Sequence, residues 1–444
     1  MKAPVLFAIL AVSAWGQDAI SLKDAVHIAL EKNKAIAASV AGQKAADSRV
    51  SEARGGLLPK VNYSESWARS DNPVFVFSSL LTQHQFEAQD FQLGPLNRPD
   101  FLNNFQSLIT ADQPLYDAGQ SRHAIHSAEL GREMAGEARK LTETEVIAGV
   151  VRAYYDAVLS EQQLNSSNQA FRSAQADLAR AQSIRSAGMS TDVDVLSIRV
   201  HLAGVDEERI RRAADLDVAR AALNEVLGLP LDTRHDLTSP LARIGLSDLS
   251  LDDYETHGVK DRAEARQAEL GVSLAENQSA NARSAMLPQV TLHGAFEADR
   301  QDFYDKGGAN WLVSLGLRWN VFNGGADKAK IEETKSLLER SRAEQRQVGS
   351  GIRLQVRRAW ADLRAAEQRI EVAKASVEEA EESLRITKNR YEAGMSNVTD
   401  LLRTETAVLD ARTRYLAAIH DQRIAATMLE MAAGRLTADS EVLN

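Results

Sequence analysis

Two periods of hydrophobic spacing alternate along this chain. Ile352, Val356, Ala359, Leu363, Ala366, Ile370, Ala373, Val377, Ala380 and Leu384 follow one another at spacings of four and three. That is the seam of a coiled coil, along which one face of a long helix stays apolar turn after turn. A second seam runs through Val146, Val150, Ala153, Ala157, Ser160, Leu164, Ser167, Phe171, Ala174 and Leu178, and its small residues permit close helix approach. The other period is two. In NWLVSLGLRWNVF (310–322), Trp311, Val313, Leu315, Leu317, Trp319 and Val321 point one way, and Ser314, Gly316, Arg318 and Asn320 the other. QVTLHGAFEA (289–298) sets Val290, Leu292 and Phe296 opposite Thr291, His293 and Glu297; residues 61–68 and 104–115 are weaker versions. Apolar on one face and polar on the other, with Trp at both ends of the last segment, is the pattern of an outer-membrane strand of about 9–11 residues.

The elements are written twice. RSAGMSTDVDVLSI (185–198) returns as YEAGMSNVTDLLRT (391–404), 206 residues on, and the same offset aligns 113–229 with 319–435 without a gap. Upstream the offset becomes 229, where ARGGLLPKV (53–61) meets ARSAMLPQV (282–290). Two copies with so long a period are a duplicated protomer rather than a solenoid. Each copy reads helix, strand, strand, helix, helix. The first helix, 22–57 or 261–286, ends at Leu-Pro, since the residue before proline leaves the helical region. The boundaries that follow are 17–229 for the first repeat, with strands at about 60–69 and 104–115 and a hairpin tip at about 186–194. A polar, turn-rich linker spans 230–261; the second repeat is 262–435, with strands at about 289–299 and 310–322 and a tip at about 392–400, and 436–444 is a tail.

Composition sharpens this picture. None of the nine prolines falls between 115 and 229 or after 288, so each tract has room for very long helices. MKAPVLFAILAVSAWGQ reads as a secretory signal peptide, residues 1–16, with one Lys, an apolar run and small Ala14 and Gly16 before the cut. The absence of cysteine excludes disulfides, a lipid-modified Cys and Cys-based zinc sites, and a net charge of −10 argues against a nucleic-acid partner. HExxH, GxSxG and Gly-rich phosphate loops are absent, so no catalytic residues, cofactor or metal are assigned. His123 and His126 share a helix face, but two histidines without further ligands make a weak site.

Closure decides the assembly. Strands inside a bilayer must form a closed barrel of at least about eight strands. Four per chain fall short, so a trimer would give twelve and a dimer eight. Two shorter helices of one copy together match one long helix, so a protomer supplies four helical columns. Twelve columns about 9.5 Å apart enclose a ring roughly 36 Å across with a lumen on the order of 25 Å.

The duplicated helix, strand, strand, helix, helix unit, the LLPxV entry to the first strand, the QPLYDAG exit from the second and the G-x5-D-hydrophobic-L turn together resemble the TolC-type outer membrane efflux proteins. The resemblance implies a mainly α fold with a small β part: a trimer with a twelve-stranded outer-membrane β-barrel continued by a long periplasmic α-helical barrel. It implies a passive exit duct, not an enzyme, of a tripartite efflux or type I secretion system. The partners would be a periplasmic adaptor and an inner-membrane RND, ABC or MFS pump, in a diderm bacterium. A periplasmic coiled-coil adaptor or a structural protein is the competing reading, and neither needs four membrane-style strands. Carried over residue by residue, Tyr391 and Asp194 would tie the resting gate and Asp400 would form an acidic ring. Ser396 stands where relatives carry Arg, and Arg403, where they carry a second Asp, would pair with Asp400 one turn away. Gly188, Met189, Gly394 and Met395 would dock the adaptor, and Trp311, Val313, Leu315, Leu317 and Trp319 would face lipid. The 71–103 connection, rich in PVFVF, Leu80, Leu81, Phe86 and Phe91, reads as a cap on neighbouring strands, or more sharply as a plug or receptor surface.

Overall fold

The computed structural model describes residues 18–188, 190–245, 249–305 and 307–444; the expected signal peptide and Met189 lie outside the described residues. The first half holds β1 (Asp18–Ile20), α1 (Leu22–Lys32), α2 (Lys34–Gly55), β2 (Lys60–Ser70), α3 (Pro73–Thr82), α4 (Leu93–Asn97), β3 (Leu102–Tyr116), α5 (Gln120–Ser186) and α6 (Asp192–Leu227). The second holds β4 (His235–Leu237), α7 (Leu251–Asp261), α8 (Ala263–Ser284), β5 (Gln289–Arg300), β6 (Gly308–Arg318), α9 (Ala326–Glu392) and α10 (Val398–Ala432). The chain is mainly helical, and α5 and α9 are each 67 residues long. It divides into two compact units, one of 43–135 and 268–345 and the other of 1–42, 136–267 and 346–444.

The first unit carries a four-stranded antiparallel sheet in the order β2-β3-β5-β6. Its register puts like with like. Val290 lies opposite Leu317, Leu292 opposite Leu315, Gly294 opposite Val313 and Phe296 opposite Trp311. Ile109 continues this face onto β3 opposite Phe296, and Tyr63 onto β2 opposite Ile109. Thr291, His293 and Glu297 pair with Gly316, Ser314 and Asn310 on the other, polar face. The apolar face is bare: Trp311, Val313, Leu315 and Leu317 are 62–79% exposed, and Val61, Tyr63 and Trp67 at least 60%. Pro114, which has no N–H for a ladder, sits where the β3–β5 register shifts. β6 stops at Arg318, so Trp319 stands just past the strand and its indole donates to the Met286 carbonyl at 3.1 Å.

The second unit is built on a core that joins α1, α5 and α6 through Leu22, Val26, Val150, Tyr154, Tyr155, Leu223 and Leu227. The Tyr154 hydroxyl donates to the Ile20 carbonyl at 3.0 Å and accepts from the Ser239 N–H at 2.9 Å, which pins the parallel pair of N-terminal β1 with β4 of the linker. Gln422, fully buried, exchanges both amide bonds with the Ile244 backbone. The first helix, expected unbroken over 22–57, is interrupted at Asn33, and the corresponding break in the second copy is at Arg262. The cause is tertiary. Gly228 and Gly434, the left-handed turns that follow α6 and α10, press on those breaks: a Cβ at Gly228 would stand 2.4 Å from the Lys32 carbonyl oxygen, and one at Gly434 3.0 Å from the Arg262 nitrogen. Along the α9 seam Ile352, Val356, Ala359, Leu363, Ala366 and Ile370 are buried, whereas Ala373, Val377, Ala380 and Leu384 remain half-covered.

Candidate functional site

Each long hairpin turns through a glycine held in the left-handed region, Gly188 at φ 78° and Gly394 at φ 70°. Any side chain there would be strained, which is why the sequence repeats Ala-Gly at both turns. The turns close tightly: the Met395 N–H donates to the Arg390 carbonyl at 2.8 Å, and the Met395 side chain is 66% exposed. Beyond each turn an N-cap starts the returning helix. Thr191 Oγ1 accepts from the Asp194 N–H at 3.2 Å, and Asn397 Oδ1 accepts from the Asp400 N–H at 2.8 Å.

The caps occupy the expected gate carboxylates. Asp194 accepts from the Thr191 hydroxyl and the Ser190 hydroxyl, both at 2.9 Å, and the Thr191 backbone bond is the largest influence holding it below the ordinary carboxylate range. Asp400 takes the Ser396 hydroxyl at 3.1 Å, so Ser396 serves the cap. Asp400 and Arg403 are both exposed, and no ion pair joins them: the cap holds the carboxylate near its own turn. Tyr391 does reach the facing hairpin. It packs on Ala181, Val195 and Ile198, and burial, with Asp194 and Asp177 nearby, pushes its hydroxyl pKa up. No hydrogen bond joins Tyr391 to Asp194; the contact is one of packing and proximity.

A charged cluster that sequence reasoning missed ties the hairpins one level above the tips. Asp177 on α5, with its side chain 1% exposed, meets Lys388 Nζ of α9 at 3.3 Å, and Arg180 Nη1 reaches Glu392 Oε1 of α9 at 2.7 Å. His201 Nε2 of α6 lies 3.4 Å from Glu405 Oε2 of α10. Burial, and then hydrogen bonding to and repulsion from Glu405, raise Asp177 to a pKa of about 6. Burial works against the charge on Glu405 too, but hydrogen bonds from His201 and Asp177 keep it low, so on acidification Asp177 takes up a proton before Glu405 does. A signal for this cluster was present: at the 206-residue offset Asp177 faces Ser383, Glu405 faces Arg199, His201 faces Ala407 and Lys388 faces Gln182. The copies diverge where the two hairpins meet.

His123 Nδ1 is 2.7 Å from Asn277 Oδ1, a tie between α5 and α8, and among the described residues no group of three or more His, Asp or Glu is placed to hold a metal. Among those residues no helix is long and apolar enough to cross a membrane. On the apolar face of the sheet, toward the β2–β3 loop, Arg300 reaches Glu65 at 2.9 Å and the Ser107 hydroxyl at 2.8 Å beside Trp67 and Phe105. An ion pair among aromatic residues marks the end of the bare apolar band.

A duplicated strand-pair and helical-hairpin protein with a one-sided apolar sheet is the class these features define. The chain belongs to the outer membrane efflux protein family, whose model matches residues 25–229 and 260–435. It is an outer-membrane channel protein of the kind that serves efflux and secretion. Protein CyaE of Bordetella pertussis is 26% identical, covering 94% of this chain and 85% of that protein. Proteases secretion protein PrtF of Dickeya chrysanthemi is 24% identical over 93% and 87%. Among solved structures, a membrane protein from Pseudomonas aeruginosa superposes with a TM-score of 0.79 at 19% identity, covering 96% of this chain and 93% of that one. The Campylobacter jejuni CmeC outer membrane channel gives 0.77 at 16% identity over 100% and 95%.

Proposed function

We propose that three copies of this chain close one twelve-stranded barrel and form the exit duct of a tripartite export machine. The observation that carries this is the sheet: four strands, one face bare and apolar, and two 11-residue edge strands, β2 and β6, whose outer edges have no partner among the described residues. Long unpaired edges invite pairing, and in a bilayer every backbone group must be satisfied. Pairing β6 of one copy with β2 of the next closes the ring.

On this reading the two tips of each copy form the periplasmic mouth, six per trimer. Tyr391, packed on the first hairpin near Asp194, keeps the mouth shut together with the Asp177 cluster, and Asp400 and Arg403 line its entrance with opposite charges. A periplasmic adaptor engages the exposed apolar turns, and an inner-membrane pump of RND, ABC or MFS type supplies the energy. The relatives named for protease secretion support a protein cargo as much as a small one. Gly188, Met189, Gly394 and Met395 offer small and pliable docking surface. Glutamate at both Met189 and Met395 therefore lowers export at least tenfold, while the amount of protein in the outer membrane and its oligomeric state stay unchanged. Export that survives the double substitution moves docking away from the turns.

A further inference from the structure

The β2–β3 connection folds onto one particular face of the sheet. Asn72 caps α3, accepting the Val74 N–H at 2.9 Å with Pro73 behind it at the first helical position, and α3 runs to Thr82. Its end is then fastened through three residues, Thr82, Gln83 and His84. Gln83, buried, donates from Nε2 to the Asn103 carbonyl at 2.9 Å and to Asn104 Oδ1 at 2.8 Å, and Asn104 Nδ2 donates to Asp299 Oδ1 at 2.6 Å. Asn310 Nδ2 donates to the Thr82 carbonyl at 3.1 Å, and His84 Nε2 lies 3.3 Å from Asn310 Oδ1. Gly308 completes the seat: a Cβ there would stand 2.0 Å from the Thr82 carbonyl oxygen, so only glycine lets the helix end come down on β6.

Register shows which face this is. Asn310 pairs with Glu297, and Asp299 with both Gln106 and Gly308. These positions alternate with Trp311, Val313 and Leu315, so Asn104, Asp299 and Asn310 belong to the polar face. A mobile external loop would not be anchored through buried amides on that side. We infer that α3 is a lid on the lumenal face of the outer mouth, which narrows the exit of the duct. This rests on the closed-barrel reading proposed above.

Dimensions make the effect large. Twelve strands about 4.8 Å apart and tilted about 40° enclose a ring roughly 24 Å across. A helix with its side chains is about 10 Å wide. Three of them seated on the inner rim leave little free cross-section. The α3 side chains turned away from the strands include Val74, 78% exposed, and Leu81, 47% exposed, so apolar groups line the narrowed exit where polar ones line the wall beneath.

The chain has no cysteine, so single thiols test this cleanly. Val74→Cys and Leu81→Cys are made in the full-length protein, with Tyr304→Cys as control, because Tyr304 is 95% exposed and its neighbour Phe303 packs on Phe105 of the apolar face. Purified protein in detergent is treated with a short bismaleimide, and reactivity is checked in parallel with a monofunctional maleimide. A lumenal lid brings the three helices together, so either α3 thiol gives covalent dimers on a denaturing gel while Tyr304→Cys gives none. Thiols that all react, in a protein shown by native mass spectrometry to be trimeric, yet do not cross-link at either α3 position would overturn the lid and leave the barrel standing. A monomeric species would overturn both, and the native mass separates the two failures.

Discussion

At Asp177 one buried carboxylate sets how the two hairpins are held. Lys388 and Arg180 approach it from one side and Glu405 from the other, and Glu405 is itself engaged by His201. The sign of the pH dependence follows. The folded pKa of about 6 stands above the ordinary 3.8, so the protonated form is the one the fold favours. Its stabilising contribution is whole below about pH 3.8 and is lost as pH rises through about 6. Asp177→Asn, a fixed mimic of the protonated acid, is therefore expected to melt close to the wild type near pH 4 and progressively above it between pH 5 and 7. Differential scanning calorimetry across that range checks this. A difference that does not vary with pH would mean that the proton is not shared at this contact. The contacts themselves were not legible at the residue scale, because the four participants come from four helices and no periodicity brings them together; only the divergence of the two copies at these positions pointed to them. The tip glycines were legible, since a left-handed turn leaves a Gly at a fixed place in the repeated motif.

At the scale of elements, β6 carries its own proof. Its alternation runs from Trp311 to Leu317, and the paired β5 presents Phe296, Gly294, Leu292 and Val290 to the same face. Arg at Leu315, two-thirds exposed in the single chain, is expected to destabilise the membrane-inserted protein by about 2–4 kcal/mol if it lies near the midplane. Arg at Gly316 is expected to cost far less, because a Cβ there has ordinary clearance, 3.9 Å from the nearest atom, and the side chain enters the polar side. Urea unfolding in lipid vesicles measures both, and equal costs would reverse the facing. The strands and the long helices were readable because one period persists over many residues. The break at Asn33 was not, since its cause is Gly228, almost two hundred residues away. Nor were α3 and α4, because PVFVFSSLL carries neither a clear period of two nor one of 3.6; the Asn-Pro pair at 72–73, a cap followed by the first helical residue, was the available sign.

At the scale of the whole molecule, the duplication and the bare sheet face fit the closure proposed above, in which four strands, too few to close a barrel alone, offer their outer edges to other copies of the chain. The family match falls on both repeats, from 25 to 229 and from 260 to 435. Native mass spectrometry of the protein extracted gently from outer membranes tests the closure most directly. The account predicts one dominant species at three times the mass of the mature chain, persisting as the detergent is stripped. A stable monomer, or a dimer supplying eight strands, would contradict it.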